Sequence, residues 1–355
     1  MLGTREPRLR PLPDELRHWA DEIMRVASPA KLRADVERLP APRNRLHSPE
    51  ALAQADEIII QAFRQAEWSV EQRPFELTNI VGSVDYAVGL LPAGVIPMLY
   101  PRLAGANILA CKEGLSSTET IVVGAHHDTI RDSPGADDNT ASVAALLELA
   151  RLLAPYSFEK TVMLAAFDME EINFFGSKQL VKELLTERKI TCGIIYETMA
   201  FTAHDPGTQE IPARFGYLYP GQMRKIRNRK FVGDWTLVLY RGFASFVARH
   251  FAEGLAHTSN PQVPIMIRDA LDIPLLGRAV RRRIPGVHAF GRSDHVSFWE
   301  AGIPAIMISD TAGFRNPHYH EPSDTPETLD YVRLAAIVGA TAVTIAQVAG
   351  LVDRP

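Results

Sequence analysis

The sequence has few of the features that mark several common classes of protein. Its two cysteines, Cys111 and Cys192, are too few for a disulfide framework, and neither belongs to a Cys-x-x-Cys pair of the kind that binds zinc. A formal net charge of −4 over 355 residues predicts no general attraction to nucleic acid or to anionic membranes. Any metal site in this chain must therefore rely on histidine and carboxylate ligands.

The chain also lacks the long apolar runs of exported and membrane-spanning proteins. Residues 1–10 mix charge with proline, and no apolar h-region or small-residue cleavage site follows them. We find no stretch that reaches the roughly eighteen apolar residues of a spanning helix, so no such helix is expected. A cytoplasmic protein is the expectation, or a secreted one if the true start lies upstream.

Hydrophobic periodicity predicts an N-terminal helical segment, residues 1–66, that packs on a larger domain, residues 67–355. Because no strong domain boundary separates them, the two are expected to form one globular unit. Residues 14–39 and 49–66 have apolar residues at helical spacing, and residues 68–112 favour short strands. From Thr120 onward strands and helices alternate; strands are predicted at 121–125, 161–167, 190–196 and 305–309, and helices at 140–153, 173–185 and 329–352. This alternation predicts an α/β fold with helices on both faces of a largely parallel sheet. Residues 200–285 are less regular and are expected to form loops over the mouth of the site.

Candidate metal ligands follow the predicted strands where those strands end. The first strand runs into His126, His127 and Asp128. Because side chains alternate along an extended chain, His126 and Asp128 face one way and His127 the other. His126 can therefore bind a metal ion while Asp128 lies behind or beside it as an orienting carboxylate.

Three acidic sites come next. Asp137 and Asp138 open a helix, and two acids there exceed what a cap requires, so we interpret Asp137 as a bridging ligand and Asp138 as its structural neighbour. Of Glu170 and Glu171, one can bind metal while the other takes a proton from the activated water. Glu197 closes the third strand, where metal coordination would offset the cost of burying an acid.

The remaining imidazole comes from a proline-bounded loop that holds His318 and His320, and spacing alone does not choose between them. Two imidazoles with several carboxylates suit two zinc ions that share an activated water. The sequence therefore predicts a hydrolase.

The order of these motifs resembles the di-zinc aminopeptidase family that includes bacterial aminopeptidase S, aminopeptidase Y and glutamate carboxypeptidase. The shared motifs are Gly-Ala-His-x-Asp, Pro-Gly-Ala-Asp-Asp-Asn, Phe-Asp-x-Glu-Glu, Ser293-Asp-His295 with Phe298, Gly302-Ile-Pro304 and Tyr-His-x-Pro-x-Asp-Thr. The resemblance implies a three-layer zinc-exopeptidase fold and two zinc ions, with the ligands His126, Asp137, Glu171, Glu197 and His320. It also implies that Glu170 is the general base, that Asp128 orients His126 and that Tyr319 steadies the oxyanion.

Substrate preference does not follow from the resemblance, because Glu197 stands where an aspartate is commoner. The implied activity is that of an exopeptidase acting on peptides or peptide-like molecules, foremost an aminopeptidase. The alternatives are a carboxypeptidase or dipeptidase of the same family, a glutaminyl cyclase-like acyl transferase, which typically works with one zinc, and a non-catalytic relative. The basic residues Arg224–Lys230, Arg278 and Arg281–Arg283 would favour a substrate carboxylate if they lined the cleft. No nucleic-acid or membrane partner is expected, and the oligomeric state is left open.

Overall fold

A mixed sheet forms the centre of the molecule. The computed structural model describes residues 5–83, 96–258, 263–272, 277, 280 and 285–353. Within these residues eight strands form one sheet in the order β1-β2-β5-β3-β6-β9-β7-β8. Their bounds are β1 Ser69–Ser83, β2 Pro97–Lys112, β3 Ser117–His126, β5 Lys160–Phe167, β6 Lys189–Tyr196, β7 Trp235–Tyr240, β8 Val263–Arg268 and β9 Ala305–Ser309. Two short strands, β4 Ser157–Phe158 and β10 Leu351–Asp353, pair separately.

The middle of the sheet is parallel. Strands β5, β3, β6 and β9 pair in parallel in that order, whereas β2 and β7 run antiparallel to their neighbours β5 and β9. The central strands are runs of buried aliphatic residues because helices cover both of their faces. The predicted α/β fold with a largely parallel sheet is confirmed, and the carboxyl ends of its central strands meet at one edge.

Among the described residues, the two largest hydrophobic cores lie against the sheet. The helices around them have the bounds α1 Asp14–Val26, α2 Pro29–Arg38, α3 Pro49–Gln65, α4 Ala141–Leu153, α5 Phe175–Glu187, α6 Phe215–Leu218, α7 Pro220–Asn228, α8 Ser245–His257, α9 His295–Glu300 and α10 Tyr331–Ile345. The larger core contains residues of α1 to α4, α8 and α10, and the smaller one contains residues of α5 to α7 and α9. The N-terminal helices therefore share a core with α4 and α10.

The expectation that no segment has the composition of a spanning helix is wrong for Tyr331–Gly350. This 20-residue stretch has a mean hydropathy of 1.7, which is apolar enough to cross a membrane. However, 78% of the apolar window is buried inside the fold, where α10 packs against α4 and α8. Its hydrophobicity is that of a core helix.

Three local predictions differ from the structure. The helix predicted over 14–39 is divided in two, because Pro29 begins α2 and the Ser28 hydroxyl caps it by accepting the N–H of Lys31. The described parts of 68–112 form two long paired strands, Ser69–Ser83 and Pro97–Lys112, rather than several short ones. The irregular segment 200–285 contains β7, α8 and β8, whose short apolar runs carry little periodic information.

Candidate metal centre

Side chains from the ends of β3 and β6 and from three loops meet around Asp138. His126 Nε2 lies 3.2 Å from Asp138 Oδ1 and 3.5 Å from Glu197 Oε2. His320 Nε2 lies 3.0 Å from Asp138 Oδ2 and 3.6 Å from Glu171 Oε2. Each imidazole thus faces a different oxygen of Asp138 and has a glutamate beside it. We call these five residues the ligand cluster.

Asp137, which was predicted to be the bridging ligand, has its partners elsewhere. Its Oδ1 accepts the N–H of Ala200 at 2.8 Å, its Oδ2 accepts the amide of Asn316 at 2.8 Å, and it is hydrogen-bonded to Asp310. The structure contradicts this prediction, because Asp138, and not Asp137, faces both imidazoles. Asp138 has the non-helical angles φ −112° and ψ 84°, so ideal helix-start geometry does not describe this acid.

The ligand cluster has the unpaired atoms and the spacing that a metal centre requires. Four buried atoms of the cluster find no partner in hydrogen-bond geometry among the described residues: His126 Nε2, Asp138 Oδ1, Glu171 Oε1 and His320 Nε2. Ligand atoms about 2.0 Å from a tetrahedral zinc ion lie roughly 3.3 Å from one another. The four histidine–carboxylate distances of the cluster run from 3.0 to 3.6 Å. Two imidazoles and three carboxylates placed in this way fit two divalent ions.

The electrostatics of the cluster also favour a bound cation. Burial and the nearby charge of Asp138 raise the pKa of both Glu171 and Glu197. Burial acts in the same sense on Asp138, but the close approach and the charge of the two imidazoles bring its pKa below the usual value. Carboxylates that repel one another in a buried site are stabilised by a bound cation. The carboxylates of the cluster therefore need more positive charge than the two imidazoles supply.

Glu170 lies next to the ligand cluster. Its Oε2 is 3.9 Å from His126 Nε2, and its side chain is largely buried. Burial and the charges of Glu197 and Glu171 raise the pKa of Glu170 well above its ordinary value, against the opposing effect of His126. These positions would also allow Glu170 to share an ion with His126 and Glu197. Glu170 can thus act as a base or as a ligand.

Asp128 links the loops after β3 and β5. Its Oδ1 lies 3.4 Å from His126 Nδ1, and its two carboxylate oxygens accept the N–H groups of Glu170 and Glu171 at 3.1 and 3.3 Å. Burial acts to raise the pKa of Asp128, but the hydrogen bond and charge of His126 lower it below the usual value. The Asp128 backbone carbonyl lies closer, 3.1 Å from His126 Nδ1, so Asp128 orients His126 with Nε2 towards Asp138.

In the loop that holds both candidate histidines, His320 reaches the cluster and His318 does not. His318 Nδ1 lies 2.9 Å from the Ser323 hydroxyl, and its ring packs edge-on against Phe201. The ring of Tyr319 stacks on the imidazole of His320 with centroids 3.9 Å apart. Burial raises the pKa of Tyr319 well above its usual value, so its hydroxyl is a hydrogen-bond donor at neutral pH.

Some supporting residues had no role in the sequence interpretation. Ser293 donates a hydrogen bond to Glu197 Oε2 at 2.8 Å. The carboxylate of Asp324 accepts the N–H groups of Asp137 and Asp138 at 3.0 and 3.3 Å. Both residues belong to motifs of the family resemblance, but the motifs do not say which ligand each residue supports.

A mostly apolar cleft of about 340 Å³ opens beside the cluster. It reaches Glu197, Tyr319 and His320, and its apolar wall comes largely from β7, β8, β9 and α7, including Ile226, Trp235, Leu237, Ile267 and Met307. Among the described residues that line the cleft, Arg292 is the one Lys or Arg. Its side chain makes no ion pair or hydrogen bond with the part of the chain that the structure describes.

The basic runs do not supply further described charges to this cleft. Within 224–230, Lys225 pairs with Glu6 and Arg229 pairs with Asp234, and only the apolar Ile226 lines the cleft. The other run, at 278 and 281–283, lies outside the described residues.

Comparison with known proteins identifies relatives of the chain. The model of Peptidase family M28 matches residues 107–214 and 276–345, a span that contains the whole ligand cluster and Glu170. The uncharacterized protein YfbL of Escherichia coli (strain K12) is 33% identical over 244 residues, which cover 65% of this chain and 68% of that protein. Aminopeptidase YwaD of Bacillus subtilis (strain 168) is 34% identical over 80 residues, which span 22% of this chain and 18% of that protein.

Solved structures share the fold over nearly the whole chain. BSAP, a zinc aminopeptidase from Bacillus subtilis, superposes with a TM-score of 0.64 at 14% identity, covering 92% of this chain and 96% of that one. Fimbriiglobus ruber glutaminyl cyclase superposes with a TM-score of 0.59 at 16% identity, covering 96% and 97%. At such identities the likeness shows the fold alone.

Proposed function

Because the chain belongs to Peptidase family M28, we propose that it is an exopeptidase that binds two zinc ions and removes amino-terminal residues from peptides. The observation that carries the proposal is the ligand cluster, in which each oxygen of Asp138 faces one imidazole with a glutamate at ligand spacing. The names of two similar proteins, an aminopeptidase and a zinc aminopeptidase, support the direction and the metal.

In this proposal His126 and Glu197 would hold one ion, Glu171 and His320 would hold the other, and Asp138 would be shared by both. Three protein ligands per ion leave a position for water or substrate, as in catalytic zinc sites. When bound, the ions polarise the scissile carbonyl and lower the pKa of the attacking water.

The protein's own side chains move the proton and hold the developing charge. Glu170 takes a proton from the attacking water and later gives it to the leaving nitrogen, a role that a raised carboxyl pKa favours. Asp128 holds the Glu170 backbone at a fixed position relative to the His126 imidazole. The Tyr319 hydroxyl donates a hydrogen bond to the oxyanion.

The test combines metal analysis with a substrate panel of leucyl, glutamyl and lysyl anilides, free dipeptides and a peptide with amino-terminal glutamine. We expect two zinc ions per chain and hydrolysis of the leucyl anilide, because the wall of the cleft is apolar. Glu170→Gln should keep both ions and lower kcat by roughly 10²- to 10⁴-fold. Loss of an ion in that variant would make Glu170 a ligand, and zinc-loaded protein that cleaves no member of the panel would contradict the proposal.

Glutaminyl cyclisation is the second candidate, and its support is the shared fold. Both halves of the ligand cluster are complete, which favours two ions over one. Cyclisation of the glutamine peptide, with one ion per chain and no cleavage of anilides, would establish this candidate in place of the first.

Arg292 bears on the direction of cleavage, since it lines the cleft near Tyr319 and its side chain has no ion pair or hydrogen bond among the described residues. A dipeptidase would use such a cation to bind the substrate carboxylate. If it does, Arg292→Ala should lower kcat/KM for a free dipeptide by at least about tenfold more than for the same dipeptide as its amide. Equal losses on both substrates would exclude carboxylate recognition by Arg292 and leave the aminopeptidase proposal standing.

A further inference from the structure

Three charged residues of the N-terminal segment contact residues that are close in sequence to the proposed metal ligands. These residues are Arg43, Arg45 and Asp56, and all three precede the part of the chain that the family model matches. Their partners are His127, Thr140 and Asp168, each within two residues of a member of the ligand cluster or of Glu170.

The first contact is to His127, which lies between His126 and Asp128 and is fully buried. Its Nε2 is 2.9 Å from Asp56 Oδ1, and its Nδ1 is 2.7 Å from the carbonyl of Phe167. Both partners are acceptors, so both ring nitrogens donate. The imidazole of His127 therefore ties the end of β3 to α3 of the N-terminal segment and to the end of β5.

The second contact extends this chain of charges to the loop after β5. Arg45 Nη2 is 2.8 Å from Asp56 Oδ2, and Arg45 Nε is 2.6 Å from Asp168 Oδ2. Asp168 is separated from Glu170 by one residue. Positive and negative groups alternate through His127, Asp56, Arg45 and Asp168, so the buried charges compensate one another.

The third contact is made by Arg43, whose side chain is fully buried. Its Nε donates to the carbonyl of His127 at 2.6 Å, and its Nη2 donates to the Thr140 hydroxyl at 2.9 Å. Thr140 follows the segment that carries Asp138. One guanidinium therefore fixes the spacing between the segments that hold His126 and Asp138.

We propose that Arg43, Arg45 and Asp56 are positioning residues of the metal centre, supplied by the N-terminal segment. Ligands must be held within roughly 0.5 Å of their working geometry. Loss of a partner that orients a ligand-bearing group typically costs 10- to 100-fold in metal affinity or activity. The inference rests on the proposed function for its catalytic consequence, whereas its consequence for zinc affinity stands without it.

The test compares Asp56→Asn with Asp35→Asn. Both aspartates are 5% exposed and lie in the N-terminal segment, but Asp35 pairs with Arg38 and Arg151, away from the ligand-bearing loops. We expect Asp56→Asn to weaken zinc binding by at least about tenfold and to lower kcat with little change in KM. Asp35→Asn should change zinc affinity less than about twofold, although both variants lose stability against denaturant.

A second variant covers the case in which Asp56→Asn does not fold. Arg45→Lys keeps the charge at a side chain that is 19% exposed, but it cannot reach Asp56 and Asp168 at once with two separate nitrogens. Arg45→Lys should also weaken zinc binding, and restoring arginine at this position should recover the zinc affinity. Zinc affinity equal to that of the Asp35→Asn control would overturn the proposal. Weakened zinc binding in a protein that cleaves no peptide would support the positioning role and refute the peptidase activity.

Discussion

Two groups of acids are buried side by side at the carboxyl edge of the sheet, and they differ in the hydrogen-bond partners of their carboxylate oxygens. In the first group, Asp137, Asp310 and Asp324, each of the six carboxylate oxygens accepts a hydrogen bond from a backbone or amide N–H. We call it the closed group. In the ligand cluster, by contrast, the described part of the chain supplies no hydrogen-bond partner for several buried oxygens and imidazole nitrogens.

This difference in partners shows how to decide whether a buried acid has a structural role or a metal-binding role. Asp137 and Asp138 are adjacent and both are buried, yet protein donors satisfy the first and leave an oxygen of the second unpaired. A buried polar group costs free energy unless it is paired. Where the protein supplies no partner, a bound ion is the economical explanation.

The largest expected effect separates these two neighbours. Asp138→Asn should abolish stoichiometric zinc binding, because both halves of the cluster use this carboxylate. Asp137→Asn should retain two ions with affinity lowered by no more than about 100-fold, as for a residue that supports a ligand. Zinc per chain after dialysis and calorimetric titration measure both variants. Equal losses would mean that the closed group also binds metal.

The sequence predicted the members of the cluster more reliably than their roles. Strand ends bring His126, Glu171 and Glu197 to one edge of the sheet, and this follows from hydrophobic runs alone. The identity of the bridging acid does not follow, because it depends on backbone angles at Asp138 and on donors as far along the chain as Asn316.

The N-terminal contacts could not have been predicted at all. Arg43 and Asp56 lie more than 70 residues from the strand end that they contact, as the separations of 84 and 71 residues to His127 show. Their local sequence is that of a proline-rich loop and an amphipathic helix. Only the tertiary fold reveals that these charges are buried and paired.

The next effect concerns stability with and without zinc. Ligand binding stabilises a fold by RT ln(1 + [L]/Kd), about 4 kcal/mol at a thousandfold excess over Kd. We expect a zinc-dependent rise in the free energy of unfolding for the unchanged protein and for Asp310→Asn, and almost none for Glu171→Gln. Denaturant titrations with zinc and with chelator measure it. A closed-group variant that loses the rise would break the distinction between the groups.

The smallest effect is a pH dependence that belongs to the closed group. Burial and the charge of Asp137 raise the pKa of Asp310 well above its usual value, and the two carboxyls are hydrogen-bonded to each other. The native state therefore holds a proton that the unfolded chain releases near pH 4. Native stability must then fall as the pH rises above that value, by up to about 1.4 kcal/mol per pH unit for one proton.

Asp310→Asn has no proton to hold at this position, so its stability should decline less between pH 5 and pH 8, even though its absolute stability is lower. Denaturant unfolding of metal-free protein at several pH values measures the slope, with the exposed Asp132→Asn as the control. Parallel slopes for all three proteins would mean that the closed carboxyls share no proton. The N–H groups around them would then suffice to hold both acids ionised, and the two groups would differ in geometry alone.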